Sequence, residues 1–335
     1  MNKEFKLLTV KEEQKLSITE LKEYYEQLRE YALNRKLTNT TKGATTIAPH
    51  LKKPTNKIAA ALVKAMTNKN VEWQVDGQEN IPEGPIILAG THQGILDNFL
   101  WIPEIKQHSI LLHGRDVKQW LIMIQLNTGL VFVKKEDKEN NHNAKLDMIK
   151  LLLEGHSITY FPESTWNMSP NKLHLPLSFG VIDVAKKTGV PIVPVAHEFT
   201  YDTTKEKETI TKIHSKFGKP IYVSIEDNLL DKLHEYEEAI STLKYELIEA
   251  KGLTKRSDIS NQDYINFLKG CYKNLALGQL DLDKERRNIF GAGTDFYKFY
   301  HINDVPYDEY GNLLETKENM KVRFLAPKIK DLQRK

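Results

Sequence analysis

His92 and Asp97 lie five residues apart and are the pair in this sequence best suited to acid–base chemistry. The apolar run 86–89 predicts a strand that ends just before His92, and ligand sites of open α/β sheets lie at such strand ends. A carboxylate beside an imidazole fixes its tautomer and stabilises its protonated form, which a general base for an alcohol needs. The spacing alone fits unrelated surface residues or a helix cap equally well.

A second polar stretch follows the apolar run 158–161. Its residues Glu163, Ser164 and Thr165 could bind an anionic or hydroxylated head group together with the local backbone N–H groups. The other interpretation is an ordinary polar turn that ends a strand, which this composition often forms. The two stretches therefore need a common context before either indicates a site.

Four short blocks of the sequence, taken in order, supply that context. They are the pair His92 and Asp97, the segment Gly129–Lys135, the segment Phe161–Trp166, and the two-proline run Val190–Val195. As a set they resemble the glycerolipid acyltransferase family, which includes lysophosphatidic acid and glycerol-3-phosphate acyltransferases. The later stretch 217–221 is similar to that family's final core strand. The resemblance covers about residues 71–250 and leaves both ends unexplained.

The resemblance implies a reaction and a set of roles. His92, helped by Asp97, would take the proton from an acceptor hydroxyl, which would attack the thioester of acyl-CoA or an acyl-carrier protein without an acyl-enzyme. No cofactor is implied beyond this thioester co-substrate. The acceptor, a lysophospholipid-like or other lipid, would be held by residues of the second and third blocks: Lys135, Glu163, Ser164, Thr165 and Trp166.

Three positions depart from the family pattern. Lys135 and Trp166 stand where the family has arginine, and Ser164 stands where it has glycine. Arginine binds phosphate with two parallel hydrogen bonds, which neither lysine nor tryptophan can reproduce. An acceptor without phosphate, such as a sugar or an N-acyl amino acid, is therefore an alternative. A catalytically silent lipid- or nucleic-acid-binding protein is another, although the intact His92–Asp97 pair argues against it.

Other chemistries find little support. There is no Gly-x-Ser-x-Gly elbow for a serine hydrolase, and the histidines lack metal-ligand spacing. Gly291 and Gly293 are not followed by the third glycine of a dinucleotide-binding loop. Neither a metal site nor a nucleotide cofactor is expected.

The elements around the blocks alternate between strand-like and helix-like patterns. Strands are predicted at 71–75, 86–89, 110–112, 130–133, 158–161, 192–195 and 221–225, and helices at 96–106, 116–126, 141–154, 178–188 and 227–250. Gly155 and Gly189 are placed to end two of these helices. This alternation predicts an α/β layered fold with a mostly buried mixed sheet flanked by helices.

The two ends of the chain differ from this middle. Residues 1–70 have a net charge of +7, and residues 31–70 contain eight basic residues and no acid. Two helices are predicted there, at 18–36 and 56–68, and they favour either an anionic membrane surface or docking on the main domain, with nucleic acid an unlikely partner. Residues 251–335 form an accessory segment of unknown role. The predicted domains are therefore 1–70, 71–250 and 251–335.

The location of the protein is predicted from what the sequence contains. The N-terminal residues are charged throughout, and no apolar run approaches the roughly 20 residues of a spanning helix. The single cysteine, Cys271, fits a reducing compartment. We therefore expect a cytoplasmic protein held peripherally at the inner face of the cell membrane.

Overall fold

The computed structural model describes residues 5–41, 61, 71–92, 97, 109–114, 129–133, 137–164, 173–174, 177–202 and 209–252. The helices bounded within these ranges are α1 (Val10–Glu13), α2 (Ile18–Asn34), α3 (Lys138–Leu153), α4 (Gly180–Thr188) and α5 (Leu229–Ala250). The strands are β1 (Glu72–Asp76), β2 (Ile87–Gly90), β3 (Ser109–Gly114), β4 (Leu130–Val133), β5 (Ser157–Tyr160), β6 (Ile192–Asp202) and β7 (Thr209–Phe217).

The strands form one mixed sheet in the order β1-β7-β6-β2-β5-β3-β4. Only the β6–β7 pair is antiparallel, and every other neighbouring pair is parallel. The predicted α/β fold with a mixed sheet is confirmed. Because β2 is parallel to both β5 and β6, the C-terminal ends of these three central strands meet at one edge of the sheet.

Both faces of the central sheet are buried. Ile87 and Ala89 of β2 point into a core shared with α3, α4 and α5, whereas Ile86 and Leu88 belong to a second cluster with Phe217. A strand that is covered on both sides reads as a continuous apolar run, as 86–89 does. The sheet around the first block is therefore a rigid base for the residues that follow it.

The last strand of the sheet was predicted in the wrong place. The stretch 221–225 forms only a single bridge, from Ile221 to Ile192, and the strand itself is β7. Ile213, Ser215 and Phe217 on one face of β7 are buried, and on the other face the buried His214 stands between the partly exposed Lys212 and Lys216. Such half-polar alternation suits an antiparallel strand but lacks the apolar run by which the other strands were recognised. The same pairing extends β6 to Asp202, well beyond the predicted 192–195.

The helix predictions that fall on described residues agree with the structure to within a few residues. Gly155 and Gly189 have φ of 87° and 74°, in the left-handed region that ends a helix. The predicted helix at 116–126 and the segment beyond 252 lie outside the described residues, and the predicted helices at 56–68 and 96–106 are described only at residues 61 and 97, which are helical.

Helix α2 begins with a capping box formed by Ser17 and Glu20. Its apolar residues pack on α3 in one buried cluster: Leu21, Tyr25, Leu28 and Ala32 with Leu146 and Ile149. The opposite, exposed face carries Glu20, Glu23, Glu26 and Glu30. The apolar face that a membrane helix would need is therefore buried in the protein itself. None of the helices in the described part of the chain is long and apolar enough to cross a bilayer.

Buried charges hold the N-terminal segment in place. Lys187 of α4 pairs with Glu13 at 2.7 Å and with Asp183, and it lies 5.2 Å from the ring centre of Tyr25. Burial raises the pKa of Asp183, but the ammonium groups of Lys145 and Lys187 outweigh burial and hold it well below its usual range. This cluster fastens α1 and α2 to α4.

Asp147 of α3 fastens the chain that follows α2. Its buried carboxylate pairs with Arg35 at 2.6 Å and accepts hydrogen bonds from the backbone of Thr38 and Asn39 and from the Thr40 hydroxyl. Thr40 then forms an antiparallel bridge with Val131 at the β4 edge of the sheet. Residues 35–41 are thereby held beside β4, which belongs to the second block.

Candidate active site

The first and third blocks follow neighbouring parallel strands. Ala89 of β2 lies beside Tyr160 of β5, so the residues that come after the two strands leave the same edge of the sheet together. Gly90 lies beside Val195 of β6, at the end of the fourth block. The sheet therefore gathers three of the four sequence blocks at one point.

His92 and Asp97 are in contact at this edge. The Nδ1 atom of His92 lies 3.1 Å from Oδ2 of Asp97. The Asp97 side chain is fully buried, and 13% of the His92 side chain is exposed. When Nδ1–H donates to the carboxylate, the neutral ring keeps Nε2 as a proton acceptor. The geometry is that of an oriented base, and its catalytic role stays a prediction.

The third block supports His92 from two sides. The Phe161 ring stacks on the imidazole with centroids 4.1 Å apart and planes 14° apart. The backbone N–H of His92 donates to Oε1 of Glu163 at 2.8 Å. A ring contact and a charge-assisted hydrogen bond together restrict both the side chain and the backbone of His92.

The environment of Glu163 differs from the one expected from the sequence. It was expected to help bind an acceptor head group, yet its side chain is fully buried and one carboxylate oxygen holds the His92 backbone. This contact ties the third block to the first. A head-group role for Glu163 stays a prediction.

Ser164 has a φ of 59°, in the left-handed region. Its N–H closes a turn onto the Phe161 carbonyl at 2.9 Å, and the N–H of Ser178 donates to the Pro162 carbonyl at 2.8 Å. Glycine takes this conformation without steric cost. The left-handed turn therefore accounts for the glycine that the glycerolipid acyltransferase pattern has at the position of Ser164.

The remaining predicted site residues are not available for a geometric test. Lys135, Thr165 and Trp166 lie outside the described residues. Their proposed contact with an acceptor stays a prediction from the sequence.

Three further polar residues at this edge were not predicted from the sequence. Oγ1 of Thr91 accepts the N–H of His197 at 3.2 Å, and Nδ1 of His197 lies 2.8 Å from Oγ of Ser215. Burial lowers the pKa of His197 to about 4. His197 lies two residues beyond the fourth block, so the parallel pairing of β2 and β6 is the signal that could have indicated it. Phe161 was likewise noted only as part of a motif.

Comparison with known proteins finds similarity over this part of the chain. Residues 72–198 match the family model described as acyltransferase. The sequence is 29% identical over 168 residues to the 1-acyl-sn-glycerol-3-phosphate acyltransferase of Borreliella burgdorferi, covering 49% of this chain and 64% of that protein. It is 24% identical over 187 residues to the protein of the same name from Saccharomyces cerevisiae, covering 51% of this chain and 57% of that protein. Each match spans less than two thirds of the relative's own length.

Among solved structures, the chain is similar to the 1-acyl-sn-glycerophosphate acyltransferase PlsC from Thermotoga maritima. The TM-score is 0.44 at 20% identity, with 70% of this chain and 85% of that chain covered. The sequence resemblance and the family match agree on the same stretch of chain. Residues 72–198 are therefore similar in sequence to the acyltransferase family and to proteins named 1-acyl-sn-glycerol-3-phosphate acyltransferase.

Proposed function

We propose that this protein is an O-acyltransferase that moves a fatty acyl group from an acyl-CoA or acyl-carrier-protein thioester to a lipid hydroxyl. The observation that supports this best is the contact between His92 and the buried Asp97, held beside the third block by Glu163 and Phe161. An imidazole paired with a carboxylate and partly open to solvent is the arrangement that proton abstraction from an alcohol requires.

The proposed reaction needs one base and no covalent enzyme intermediate. Nε2 of His92 takes the proton of the acceptor hydroxyl while the oxygen attacks the thioester carbonyl. The tetrahedral intermediate collapses with cleavage of the carbon–sulfur bond, and the imidazolium returns its proton to the leaving thiolate. Asp97 stabilises the imidazolium throughout, and backbone N–H groups would stabilise the oxyanion.

The proposed acceptor is a lysophospholipid-like alcohol. The relatives from Borreliella burgdorferi and Saccharomyces cerevisiae are named 1-acyl-sn-glycerol-3-phosphate acyltransferases, which supports a glycerolipid acceptor and a place in phospholipid biosynthesis. Lys135, Ser164, Thr165 and Trp166 are the residues that we propose to contact its head group. The protein would act at the inner face of the cell membrane, held peripherally and reached from the cytoplasm.

A second acceptor class has a specific observation in its favour. Trp166 and Lys135 stand where the family has arginine, so no arginine is available at these positions to bind phosphate with two hydrogen bonds. An acceptor that lacks phosphate, such as a sugar or an N-acyl amino acid, is consistent with these residues. The choice of acceptor in the assay below separates the two.

The test is release of free thiol from acyl-CoA and from acyl-carrier protein, followed with a thiol-reactive dye. The acceptors compared are lysophosphatidic acid, monoacylglycerol, a hexose and an N-acyl amino acid, against water. The protein contributes one thiol of its own, Cys271, which sets a fixed background. We expect release above that background with at least one acceptor. Absence of acceptor-dependent release with every combination contradicts the proposal.

Substitution of His92 assigns that release to the site. His92→Ala should lower kcat by roughly 10²–10⁴-fold, because a general base contributes about that much. The matched control is His234→Ala, which removes an exposed histidine of α5 and should leave kcat unchanged. Circular dichroism melting of both variants checks that the fold is retained. Full turnover by His92→Ala would mean that the base is another residue.

A further inference from the structure

The backbone N–H of His92 is bonded to a side chain at a point where a sheet would ordinarily supply a main-chain carbonyl. Successive residues of the β2 chain bond alternately to its two neighbours. The N–H groups of Ile87 and Thr91 donate to carbonyls of the β6 chain, whereas the Ile86 carbonyl accepts the N–H of Ile158 in β5. His92 continues this alternation, so its N–H is directed to the β5 side of the sheet.

The chain that follows β5 leaves the ladder before it reaches His92. The register of β2 and β5, counted three residues beyond its last pair, places His92 beside Glu163. Pro162 has no N–H to continue the ladder, and its carbonyl accepts the N–H of Ser178 at 2.8 Å. The Glu163 carboxylate takes the place of a main-chain acceptor, with Oε1 2.8 Å from the His92 nitrogen.

Glu163 is itself fixed by its surroundings. Its side chain has no exposed surface, and a buried carboxylate is stable only when donors satisfy its oxygens. The left-handed turn at Ser164 closes onto the Phe161 carbonyl at 2.9 Å and sets the backbone from which Glu163 projects. A hydrogen bond from an N–H to an ionised carboxylate is about twice as strong as one between neutral groups. The position of the His92 backbone is therefore determined by Glu163.

We propose that Glu163 is a positioning residue, whose carboxylate holds the backbone N–H of His92 and so fixes the base relative to Asp97, in place of the head-group contact expected from its motif. This inference rests on the proposed acyl transfer. Glu163 acts through His92 and not on the substrates. Its loss should lower kcat and leave KM unchanged, because a displaced base alters the reacting geometry and not the ground-state contacts.

Two conservative substitutions separate positioning from head-group binding. Glutamine keeps an acceptor oxygen at the same distance along the side chain, whereas aspartate keeps the charge but is one methylene shorter. We expect Glu163→Asp to lower kcat by roughly ten- to hundred-fold, with KM for the acceptor changed by less than about two-fold. Glu163→Gln should retain most of the kcat. An unchanged kcat in Glu163→Asp, or an acceptor KM raised by more than about ten-fold in Glu163→Gln, overturns the inference.

The matched control makes the same change in another buried glutamate. Glu13 pairs with Lys187 at 2.7 Å and accepts the Tyr25 hydroxyl at 3.0 Å. Lys187 lies near the end of α4, just before β6 begins, at the edge of the sheet opposite to the candidate site. We expect Glu13→Asp to keep its kcat within about two-fold, even where its melting temperature falls. Melting temperatures of all variants are compared, so that unfolding is not mistaken for loss of positioning.

Amide hydrogen exchange tests the contact without any assay of activity. Selective nitrogen-15 labelling of the 11 histidines gives a small set of backbone signals, in which that of His92 is identified by its absence in His92→Gln. We expect this N–H to exchange slowly in the unsubstituted protein and in Glu163→Gln, and at least about ten-fold faster in Glu163→Asp. The N–H of His197, which donates to the Thr91 hydroxyl, should stay protected in all three and serves as the internal reference.

The two measurements distinguish failure of this inference from failure of the proposed function. Rapid exchange of the His92 N–H in the unsubstituted protein, or equal exchange in Glu163→Asp, overturns the inference. So does an active protein whose Glu163→Asp variant keeps its kcat. An unsubstituted protein without acyl transfer to any acceptor contradicts the proposed function, and the exchange rates still decide whether Glu163 holds His92.

Discussion

At the scale of single residues, Ser164 has a strained backbone conformation at the candidate site. Its left-handed backbone lets the N–H return to the Phe161 carbonyl and leaves Glu163 directed toward His92. A residue with a side chain loses about 1 kcal/mol or more in this conformation, whereas glycine does not. The turn is retained because the hydrogen bonds on either side of it are formed only in this conformation.

Ser164→Gly should relieve that strain. We expect the free energy of unfolding in urea to stay level or to rise by up to about 1 kcal/mol, since the gain in the folded state is partly offset by the greater entropy of glycine in the unfolded chain. Ser164→Val should lower it instead, because β-branched side chains tolerate this region worst. A stability loss in Ser164→Gly similar to that in Ser164→Val would contradict the backbone explanation.

His197 should make the protein sensitive to mild acid. Burial lowers its pKa from the ordinary 6.5 to about 4, so between these values the unfolded chain binds more protons than the folded one. The stability it confers is present above pH 6.5 and is lost as pH falls toward 4. Between pH 7.5 and 5.0 we expect the unfolding free energy to fall by roughly 2 kcal/mol more than in His197→Gln. Equal losses in the two proteins would indicate that the ring is already charged when folded.

At the scale of elements, the site exists because β2, β5 and β6 are parallel neighbours. Their ends bring residues from distant parts of the sequence to one edge, with Thr91 and His197 bonded across 106 positions. The N-terminal segment is joined to the same domain through α2 on α3 and through Asp147. Residues 5–41 are therefore part of the packed domain.

Asp147→Asn should loosen that attachment. Arg35 is nearly buried and would lose its charged partner, and the backbone donors of Thr38 and Asn39 would lose a carboxylate acceptor. Removing one member of a buried ion pair costs roughly 3–5 kcal/mol, which urea unfolding would measure. The control is Lys22→Met, which breaks an exposed pair with Glu226 and should cost less than about 1 kcal/mol. A loss for Asp147→Asn no larger than for this control would show that the segment is held by its apolar contacts alone.

At the scale of the whole molecule, charge is distributed unevenly along the chain. The exposed face of α2 is acidic and its apolar face is buried, so α2 is a poor candidate for contact with an anionic membrane. The basic residues that remain as candidates lie further along, between residues 42 and 69. Basic residues near an anionic surface contribute about 1 kcal/mol each, so a cluster can hold a protein there.

Replacing Lys52, Lys53, Lys57 and Lys64 with glutamine should weaken binding to anionic liposomes. We expect the fraction that sediments with phosphatidylserine vesicles to fall strongly, and to fall for the unsubstituted protein as salt is raised. The charge-matched control replaces Lys212, Lys216, Lys219 and Lys232, which lie on or near β7 and α5. Similar losses in both quadruple variants would indicate a response to net charge and not a docking surface at residues 52–64.

Much of the fold followed from local patterns in the sequence. The buried strands β2, β4 and β5 were recognisable as apolar runs, and Gly155 and Gly189 ended helices as expected. β7 was missed because its lysines and threonines interrupt any apolar run. The strand forms through its antiparallel pairing with β6, which cannot be seen in the local sequence. The order of the strands depends on contacts between residues far apart in sequence, and no local pattern contains that information.

The residue types of the first and third blocks indicated acid–base chemistry, because a histidine and two carboxylates follow the ends of predicted strands there. The tertiary structure decided which groups stand together: Glu163 on the His92 backbone, Phe161 on its ring, and His197 beside it from β6. Side-chain chemistry is a property of each residue, whereas burial, pKa and hydrogen-bond geometry arise only when the sheet brings distant strands into register.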